Sequence, residues 1–483
     1  MSGAARGLAV AAGAAVAALA AAMLVVADPW LSAQAPAALW RITRLREAPL
    51  QAAPLIVALL GLVVAAGLAL AARTPRFETA FFVLVFATAQ ANGIGVGPLD
   101  LFDLAFFGML ALWVGVRGLD PDRPVAVSPL LLLSLLIVLF GVLHLMVQSP
   151  GRWTIGMFGL VRAVLVGFLI VDLLRTPGVL RFALAAYIAV AVISAAIAIV
   201  QFALAYFGVF YFTLLVPPES AFKPTPIGFV MRASGLCITA QHLSSFLLFA
   251  TPLALWRFSE RWLLRDAVVL FVLWAGILVS WNFGAMFAAA AIGALFLPLR
   301  WPNLLIHFVA LGLTALVAAY FTGLLDLIYD LSFGDAGVAK GVDQRHTLFS
   351  LGIDKLDRNP WVGEGPQGFA SFSGNFWGRP VHNAFGQAAT EYGVGGALVL
   401  AAIIATLVTQ LILTAFRPGP HQAAVKQMLM VMLATVVLMQ SEPNLDHGNT
   451  WLMLGLAQGV VRLADSGDQD GERHQRDSEP AEA

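Results

Sequence analysis

Charged residues are scarce in this chain of 483 residues. Asp, Glu, Lys and Arg together make up 12% of the sequence, whereas hydrophobic residues make up 60%. A typical soluble domain carries about 25% charged residues. Acidic and basic residues are equal in number, so the net charge gives no indication of a nucleic-acid partner. The composition excludes an ordinary soluble domain and predicts a protein whose partner is the lipid bilayer.

Cysteine, metal-binding patterns and nucleotide motifs are also missing. The single cysteine, Cys237, excludes an internal disulfide and a cysteine-rich metal site. The histidines show no metal-ligand spacing, and the chain has no Walker motif. The segment GEGPQG at 363–368 matches G-x-G-x-x-G, but it lacks the strand and helix context of a dinucleotide site. We therefore expect no metal and no cofactor, and we interpret GEGPQG as a tight turn.

Long apolar runs recur along almost the whole chain. Each is close to the ~20 residues that cross about 30 Å of hydrocarbon as a helix. The first run is too long for the core of a signal peptide, so we interpret it as a retained span. We count fourteen spans, and twelve or thirteen are also compatible with the pattern. The spans are 7–27, 52–72, 79–97, 99–116, 128–147, 153–174, 180–207, 235–256, 266–281, 283–299, 303–324, 388–416, 424–441 and 447–463.

Basic residues alternate between the connections, which predicts an orientation by the positive-inside rule. The connections rich in Arg would face the cytoplasm, as would both termini. Three residues near the first outward loop, Arg41, Arg44 and Arg46, break the pattern, so they form an interfacial helix or the count is wrong there. The basic connections contain Arg73, Arg76, Arg117, Arg123, Arg175, Arg181, Arg257, Arg261, Arg265, Arg300, Arg417 and Lys426.

The predicted fold class is an all-α polytopic membrane protein with about 12–14 transmembrane helices. Residues 1–324 would form helices 1–11, 325–387 a large outward (periplasmic) loop with short helices, and 388–463 the C-terminal helices. The polar segment 464–483 is predicted to be a disordered cytoplasmic tail. Within the loop, VDQRHTLFSLGIDKLDRNP indicates an amphipathic helix, with Asp343 as its cap and Asn359-Pro360 at its end.

A polar cluster lies where this loop re-enters the membrane, in RPVHNAFGQAATEYGVGG at 379–396. His382 can exchange a proton near neutral pH, and Asn383 could orient it or bind a sugar hydroxyl. Glu391 would lie inside the apolar layer, where a carboxylate needs a partner or a function. In the alternative interpretation, His382 only caps the loop and Glu391 holds it by pairing with a nearby Arg.

Three arginines complete the set of candidates. Arg232 and Arg345 lie on the outward side, and a guanidinium suits the oxygens of a diphosphate. Each alone could equally be an arginine that extends to the membrane interface. Arg162 lies in the middle of a span, where it should have a partner. It either pairs with a carboxylate such as Glu391 or Glu442, or it lines a substrate path.

The order of these motifs resembles the O-antigen ligase and polysaccharide polymerase family of bacterial inner-membrane glycosyltransferases. The resemblance is strongest over 345–396, with Arg345, a P-x-x-G-x-G turn containing Gly363 and Gly365, the His382-Asn383 pair, and Glu391 with Gly393. The segment RASGLCITAQHLSSF resembles an upstream motif of the family through Arg232 and Gly235. Two motifs depart from the pattern: Ala240-Gln241 replaces Pro-Asn in the upstream motif, and Trp281 replaces a basic residue in a helical hairpin turn.

This resemblance implies a fold, an activity and residue roles. The donor would be a glycan on an undecaprenyl-diphosphate carrier, used at the periplasmic face of the bacterial inner membrane. His382 would act as general base, while Arg232 and Arg345 would bind the diphosphate and stabilise its developing charge. Inversion at the anomeric carbon without metal or cofactor is expected. The remaining predicted substrate-binding residues are Asn383, Glu391, Gly363, Gly365, Gln241 and Arg162.

Two questions stay open at this point. The acceptor could be the lipid A core, another carrier-linked glycan or a protein hydroxyl. The protein could also be a polysaccharide or lipid transporter, or a flippase, which moves its substrate without bond chemistry. Transport predicts pseudo-symmetric halves and polar groups near the bilayer midplane. The sequence shows no such symmetry, and only Arg162 favours transport.

Overall fold

The computed structural model describes residues 82–119 in part, 128–144, 150–206, 222–323 and 338–478, with short gaps inside several of these ranges. The predicted spans 7–27 and 52–72 lie outside the described residues. Twelve helices and four short strands are described. The helices are α1 Leu101–Leu119, α2 Pro129–Leu143, α3 Pro150–Leu173, α4 Pro177–Tyr206, α5 Ala240–Arg261, α6 Leu264–Val279, α7 Phe283–Arg300, α8 Leu305–Phe321, α9 Val338–Arg358, α10 Ala384–Ala415, α11 Gln422–Met439 and α12 Gly448–Ser478.

The described part of the chain is mostly helical and confirms the helical class that the apolar runs predict. By length and composition, four of its helical segments could cross a membrane: Gly156–Leu173, Pro177–Ala205, Ala384–Ala415 and Gln422–Met439. Two shorter apolar helices, Pro129–Leu143 and Phe283–Leu297, accompany them. The larger number of spans stays a prediction, as does the side of the membrane that each connection faces.

Strands occur as two small antiparallel hairpins. Strands β1 Gly95–Val96 and β2 Leu99–Asp100 precede α1. Strands β3 Phe222–Thr225 and β4 Gly228–Met231 form the second hairpin, in which Phe222 pairs with Met231. This second hairpin leads directly into the segment that carries Arg232.

Short connections join most consecutive helices, so neighbouring helices run antiparallel and the bundle has two distinct ends. We call one the site end; it contains connections 280–282 and 440–447 and the start of α10. We call the other the basic end; it contains connections 174–176, 262–263 and 416–421. The core is a single apolar cluster in which α12 packs closely against α3. At that crossing Gly167 and Gly455 meet backbone to backbone, because a Cβ on Gly455 would lie 2.6 Å from the Gly167 carbonyl oxygen.

The structure differs from the sequence predictions at three helix ends. Helix α5 begins at Ala240 rather than near residue 235, because residues 232–237 instead form an extended segment and a turn. Helix α9 begins at Val338, so Asp343 lies inside the helix and the prediction that it is the cap is wrong. Helix α12 continues to Ser478, through much of the segment predicted to be disordered.

Candidate active site

Arg232 is anchored to the site end of the bundle by the residues around it. Its Nε donates a hydrogen bond of 3.2 Å to the carbonyl oxygen of Ser280, in the turn between α6 and α7. The next residue, Ala233, donates its N–H to the Val279 carbonyl at 3.0 Å. The Gln201 side chain of α4 accepts from the N–H groups of Ser234 and Gly235 at 3.2 and 2.9 Å. These bonds hold the guanidinium at the α6–α7 turn.

Glu442 lies in the connection between α11 and α12, next to the α6–α7 turn. Its side chain is buried, with 6% relative exposure for the residue, and its Oε1 has no hydrogen-bond partner. Burial raises the pKa of Glu442 to about 7, against the opposing effects of Arg345, of Arg232 and of a hydrogen bond from Asn282. The carboxyl therefore lies close to both arginines.

Glu442 and Arg345 both influence the pKa of Arg232. Burial lowers the pKa of the Arg232 guanidinium, the Glu442 carboxylate raises it, and the positive charge of Arg345 lowers it. No ion pair within 4 Å joins these three side chains in the described part of the chain. The two guanidinium groups thus lie near the carboxyl but form no ion pair with it, so both are able to bind an added anion.

Arg345 and His382 are brought together by a small apolar cluster outside the main core. Leu348 of α9 packs there against Phe369 and Val381, all fully or almost fully buried. Leu348 follows Arg345 by one helical turn, and Val381 immediately precedes His382. The cluster therefore fixes the middle of α9 next to the start of α10, although the Arg345 residue itself is exposed.

His382 is half-buried, and its Nδ1 is buried without a hydrogen-bond partner. Burial lowers its pKa to about 4, and the positive charges of Arg345 and then Arg379 add to this effect. The imidazole is therefore neutral at physiological pH and has a nitrogen able to accept a proton. A nearby anion would favour the protonated form and raise the pKa of His382 again.

Asn383 is the N-cap of α10. Its side chain accepts a hydrogen bond of 2.9 Å from the N–H of Gly386, which satisfies one of the free donors at the helix start. Its Nδ2 also donates to the backbone oxygen and to Oε1 of Gln440, at 3.4 and 3.3 Å. Asn383 thus joins the start of α10 to the end of α11, two residues before Glu442. The structure assigns it a positioning role, and contact with a sugar hydroxyl stays a prediction.

The glycines of the P-x-x-G-x-G turn contact another part of the chain. Helix α10 is broken at Gly393, where φ is +72°, and the turn docks on this break. The N–H groups of Glu364 and Gly365 donate to the carbonyl oxygens of Thr390 and Glu391, both at 2.8 Å. A Cβ on Gly363 would lie 2.6 Å from the Gly393 nitrogen. This close approach of two backbones explains why residue 363 is a glycine, and the hydrogen bond to Glu391 explains the position of Gly365. Neither explanation requires contact with a substrate.

Glu391 lies in the segment of α10 just before the break. The residue has 2% relative exposure, and its Oε1 accepts a hydrogen bond of 3.3 Å from Gln387. Its backbone oxygen is one of the two acceptors that hold the turn. Glu391 is therefore part of the packing beneath the turn.

Arg162 pairs with Asp103 of α1, a carboxylate that the sequence analysis did not name as a partner. Its guanidinium also lies 4.7 Å from the centre of the Phe102 ring. Both partners come from α1, whose contact with α3 they reinforce. Gln241 lies in the first turn of α5, where its backbone oxygen accepts from the hydroxyls of Ser244 and Ser245. Among the described residues, no hydrogen bond or ion pair joins Gln241 to Arg232, Arg345 or His382, which together with Glu442 we call the arginine–histidine cluster.

Glu442 and three residues beside the cluster, Asn282, Gln440 and Arg379, were not predicted as site residues. A signal for Glu442 was present, since SEPN at 441–444 places a carboxylate between two apolar runs. Asn282 donates a hydrogen bond of 2.7 Å to the Ser244 hydroxyl, and it lies beside Trp281, which has a left-handed backbone. Within the described residues, no group of three or more His, Cys, Asp or Glu side chains could hold a metal ion.

Comparison with known proteins adds nothing to these observations: no protein-family model matches the sequence, and no curated protein matches it significantly. The arrangement itself has a clear chemical character. It combines two arginines without an ion-pair partner among the described residues, a neutral imidazole and a buried carboxyl at one end of an apolar bundle. Such a set can bind an anion and accept a proton next to it.

Proposed function

We propose that the protein is a membrane glycosyltransferase that transfers or polymerises a glycan from an undecaprenyl-diphosphate carrier. The observation that supports this proposal is the grouping of Arg232, Arg345 and His382 at one end of the bundle, although they are far apart in the sequence. A diphosphate would supply the anionic partner for the two guanidinium groups, which form no ion pair among the described residues. The polyprenyl chain of the carrier matches the apolar surroundings.

The reaction would proceed as a single displacement. The neutral imidazole of His382 accepts the proton of an acceptor hydroxyl, whose oxygen forms a bond to the anomeric carbon. The bond from that carbon to the diphosphate oxygen breaks, and the electron pair leaves with the diphosphate. Arg232 and Arg345 stabilise the charge that develops there. Attack opposite the leaving group inverts the anomeric centre, and the step as written uses no metal and no ATP.

The low pKa of His382 fits this sequence of events. A base with a pKa of about 4 is weak, but it is fully in its neutral form when the donor arrives. The charge of the bound diphosphate would offset that of Arg345 and raise the pKa of His382 towards the range that suits a general base. Binding of the donor would thus strengthen the base only when a substrate is present.

The proposed location is the bacterial inner membrane, with the site end facing the periplasm. The positive-inside rule supports this orientation, because Arg257, Arg261 and Arg265 lie at the opposite end. At the site end Trp361 and Phe376 are 76% and 90% exposed. Exposed aromatic rings of this kind are typical of the membrane interface.

The three candidate acceptors remain the lipid A core, another carrier-linked glycan and a protein hydroxyl. Transport without bond chemistry stays the alternative; Arg162, the feature that favoured it, is paired with Asp103 and contacts an aromatic ring. Its mid-helix position is accounted for by packing between α1 and α3.

The test is a transfer assay with the purified full-length chain, a labelled carrier-linked glycan and each acceptor in turn. We expect His382→Ala to abolish transfer, and Arg345→Ala to weaken use of the donor by at least about tenfold, as loss of a charge-assisted contact does. Matched controls are His307→Ala and Arg358→Ala, which change exposed residues away from the cluster. Full transfer by the His382 variant, or unchanged donor use by the Arg345 variant, would refute the assigned roles.

A further inference from the structure

A cavity at the basic end of the bundle lies opposite the candidate active site. It has a volume of about 550 Å³ and opens between the start of α4, the end of α5 and the start of α11. None of the residues assigned to glycan transfer lines it. Its function is therefore a separate question from that of the arginine–histidine cluster.

Charge is concentrated at the mouth of this cavity. Arg181 of α4 and Arg261 of α5 line it, and neither makes an ion pair or hydrogen bond within the described part of the chain. The acidic residue of the lining, Glu260, already accepts a hydrogen bond of 2.7 Å from Trp256. A third arginine, Arg257, pairs with Asp266 at 2.9 Å. Two guanidinium groups thus remain available to an anion.

The cavity becomes apolar away from its mouth. Arg181 lies one turn from the start of α4, whereas Leu184 and Ile188 line the cavity deeper along the same helix. Seven residues of helix separate Arg181 from Ile188, which corresponds to a depth of about 10 Å. On α5, Leu253 lies two turns before Arg261 and continues the apolar wall. A soluble anion would use the mouth alone, but an amphiphile would fill both parts.

We propose that this cavity binds an anionic phospholipid, with the phosphate at Arg181 and Arg261. One acyl chain lies along the apolar wall that Leu184, Ile188 and Leu253 form. Basic pockets between membrane helices are a known type of binding site for acidic lipid headgroups. The lipid would bridge α4, α5 and α11 at the end of the bundle opposite the active site. This inference does not depend on the proposed glycan transfer.

The test measures lipid binding and thermal stabilisation of the purified full-length chain in a neutral detergent. The probes are phosphatidylglycerol, phosphatidylcholine with the same acyl chains, and free glycerol phosphate. We expect phosphatidylglycerol alone to bind and to raise the unfolding temperature. Arg181→Gln and Arg261→Gln should each weaken its binding about fivefold, the amount typical of one basic residue near an anionic lipid.

Two further variants keep the result interpretable. Arg417→Gln removes a charge at the same end outside the cavity and should leave the binding unchanged. Arg181→Lys keeps the charge and should retain most of the binding, which separates loss of charge from misfolding. Equal effects of phosphatidylcholine or of glycerol phosphate would overturn the proposal. So would an equal loss in the Arg417 variant, or no loss in the Arg181 and Arg261 variants.

Discussion

Glu442 should make binding of a diphosphate depend on pH, and Glu442→Gln should remove that dependence. The carboxyl lies close to Arg232 and Arg345, so its negative charge competes with that of an incoming diphosphate. Binding therefore favours the neutral carboxyl. Because burial raises the pKa of Glu442 to about 7, roughly half of the free protein already has the neutral form at that pH.

The magnitude follows from this pKa. Below about pH 7 the carboxyl is mostly protonated and the affinity should be nearly constant. Above it, binding requires the carboxyl to take up one proton. The proton concentration falls tenfold with each pH unit, so the affinity falls by up to tenfold per unit. Between about pH 6 and about pH 8.5 the affinity for the diphosphate should fall by a factor that approaches 30. In the free protein the His382 side chain stays neutral throughout this window, since its pKa is about 4.

The assay is equilibrium binding of a short-chain prenyl-diphosphate sugar to the purified full-length chain. Both phosphates of this probe are esterified, so its own charge stays constant over the window. In Glu442→Gln the amide cannot ionise, and the affinity should stay near the low-pH value of the wild-type protein throughout. The reasoning is refuted if the wild-type affinity does not change with pH, or if the Gln variant retains the same slope.

Three further predictions concern other parts of the molecule. The value of kcat/KM reports the free protein; it should stay constant from neutral pH down to about pH 5 and fall below about pH 4, where His382 becomes protonated. The value of kcat reports the complex with donor. Its fall should come at higher pH, because the bound diphosphate raises the pKa of His382. Gly393→Ala should lower the stability by at least about 2 kcal/mol, because its φ is +72° and the Trp361 carbonyl blocks a Cβ, whereas Gly159→Ala has open space and should unfold near the wild-type temperature. Arg162→Met should destabilise the protein by about 3–5 kcal/mol, because it removes the ion-pair partner of the buried Asp103. Asp103→Asn in the same chain should recover part of this loss in thermal unfolding. Equal unfolding temperatures for the two glycine variants, or no recovery in the double variant, would contradict these assignments.

Local patterns in the sequence predicted the helices well. The length of an apolar run depends only on neighbouring residues, and the predicted span 283–299 corresponds to helix Phe283–Arg300. The first residues of helices were predicted less reliably, because a residue acts as an N-cap only if the backbone before it is not helical. Asp343 is a good cap residue, but α9 extends back to Val338 and takes it into the helix.

Contacts between distant residues were harder to predict. The sequence showed that Arg162 needs a partner, but its choice of Asp103 over Glu391 and Glu442 depends on the packing of α1 against α3. The grouping of Arg232 with Arg345 and His382 was predicted from a motif order. Glu442 was missed as a member of that group, because its position beside the α6–α7 turn is set by the tertiary fold.

The docking of the P-x-x-G-x-G turn on the break in α10 has a mechanical consequence. The hydrogen bonds between the turn and α10 join main-chain atoms. One of them runs from the Val394 N–H to the Pro360 carbonyl oxygen at 2.8 Å. Side-chain substitutions leave such bonds in place, provided that the glycines stay. A force on the turn is therefore transmitted to the first two turns of α10, which begin beside His382. Because the turn is bonded to residues on both sides of Gly393, it should also hold the two segments of α10 at a fixed angle and resist bending at the break.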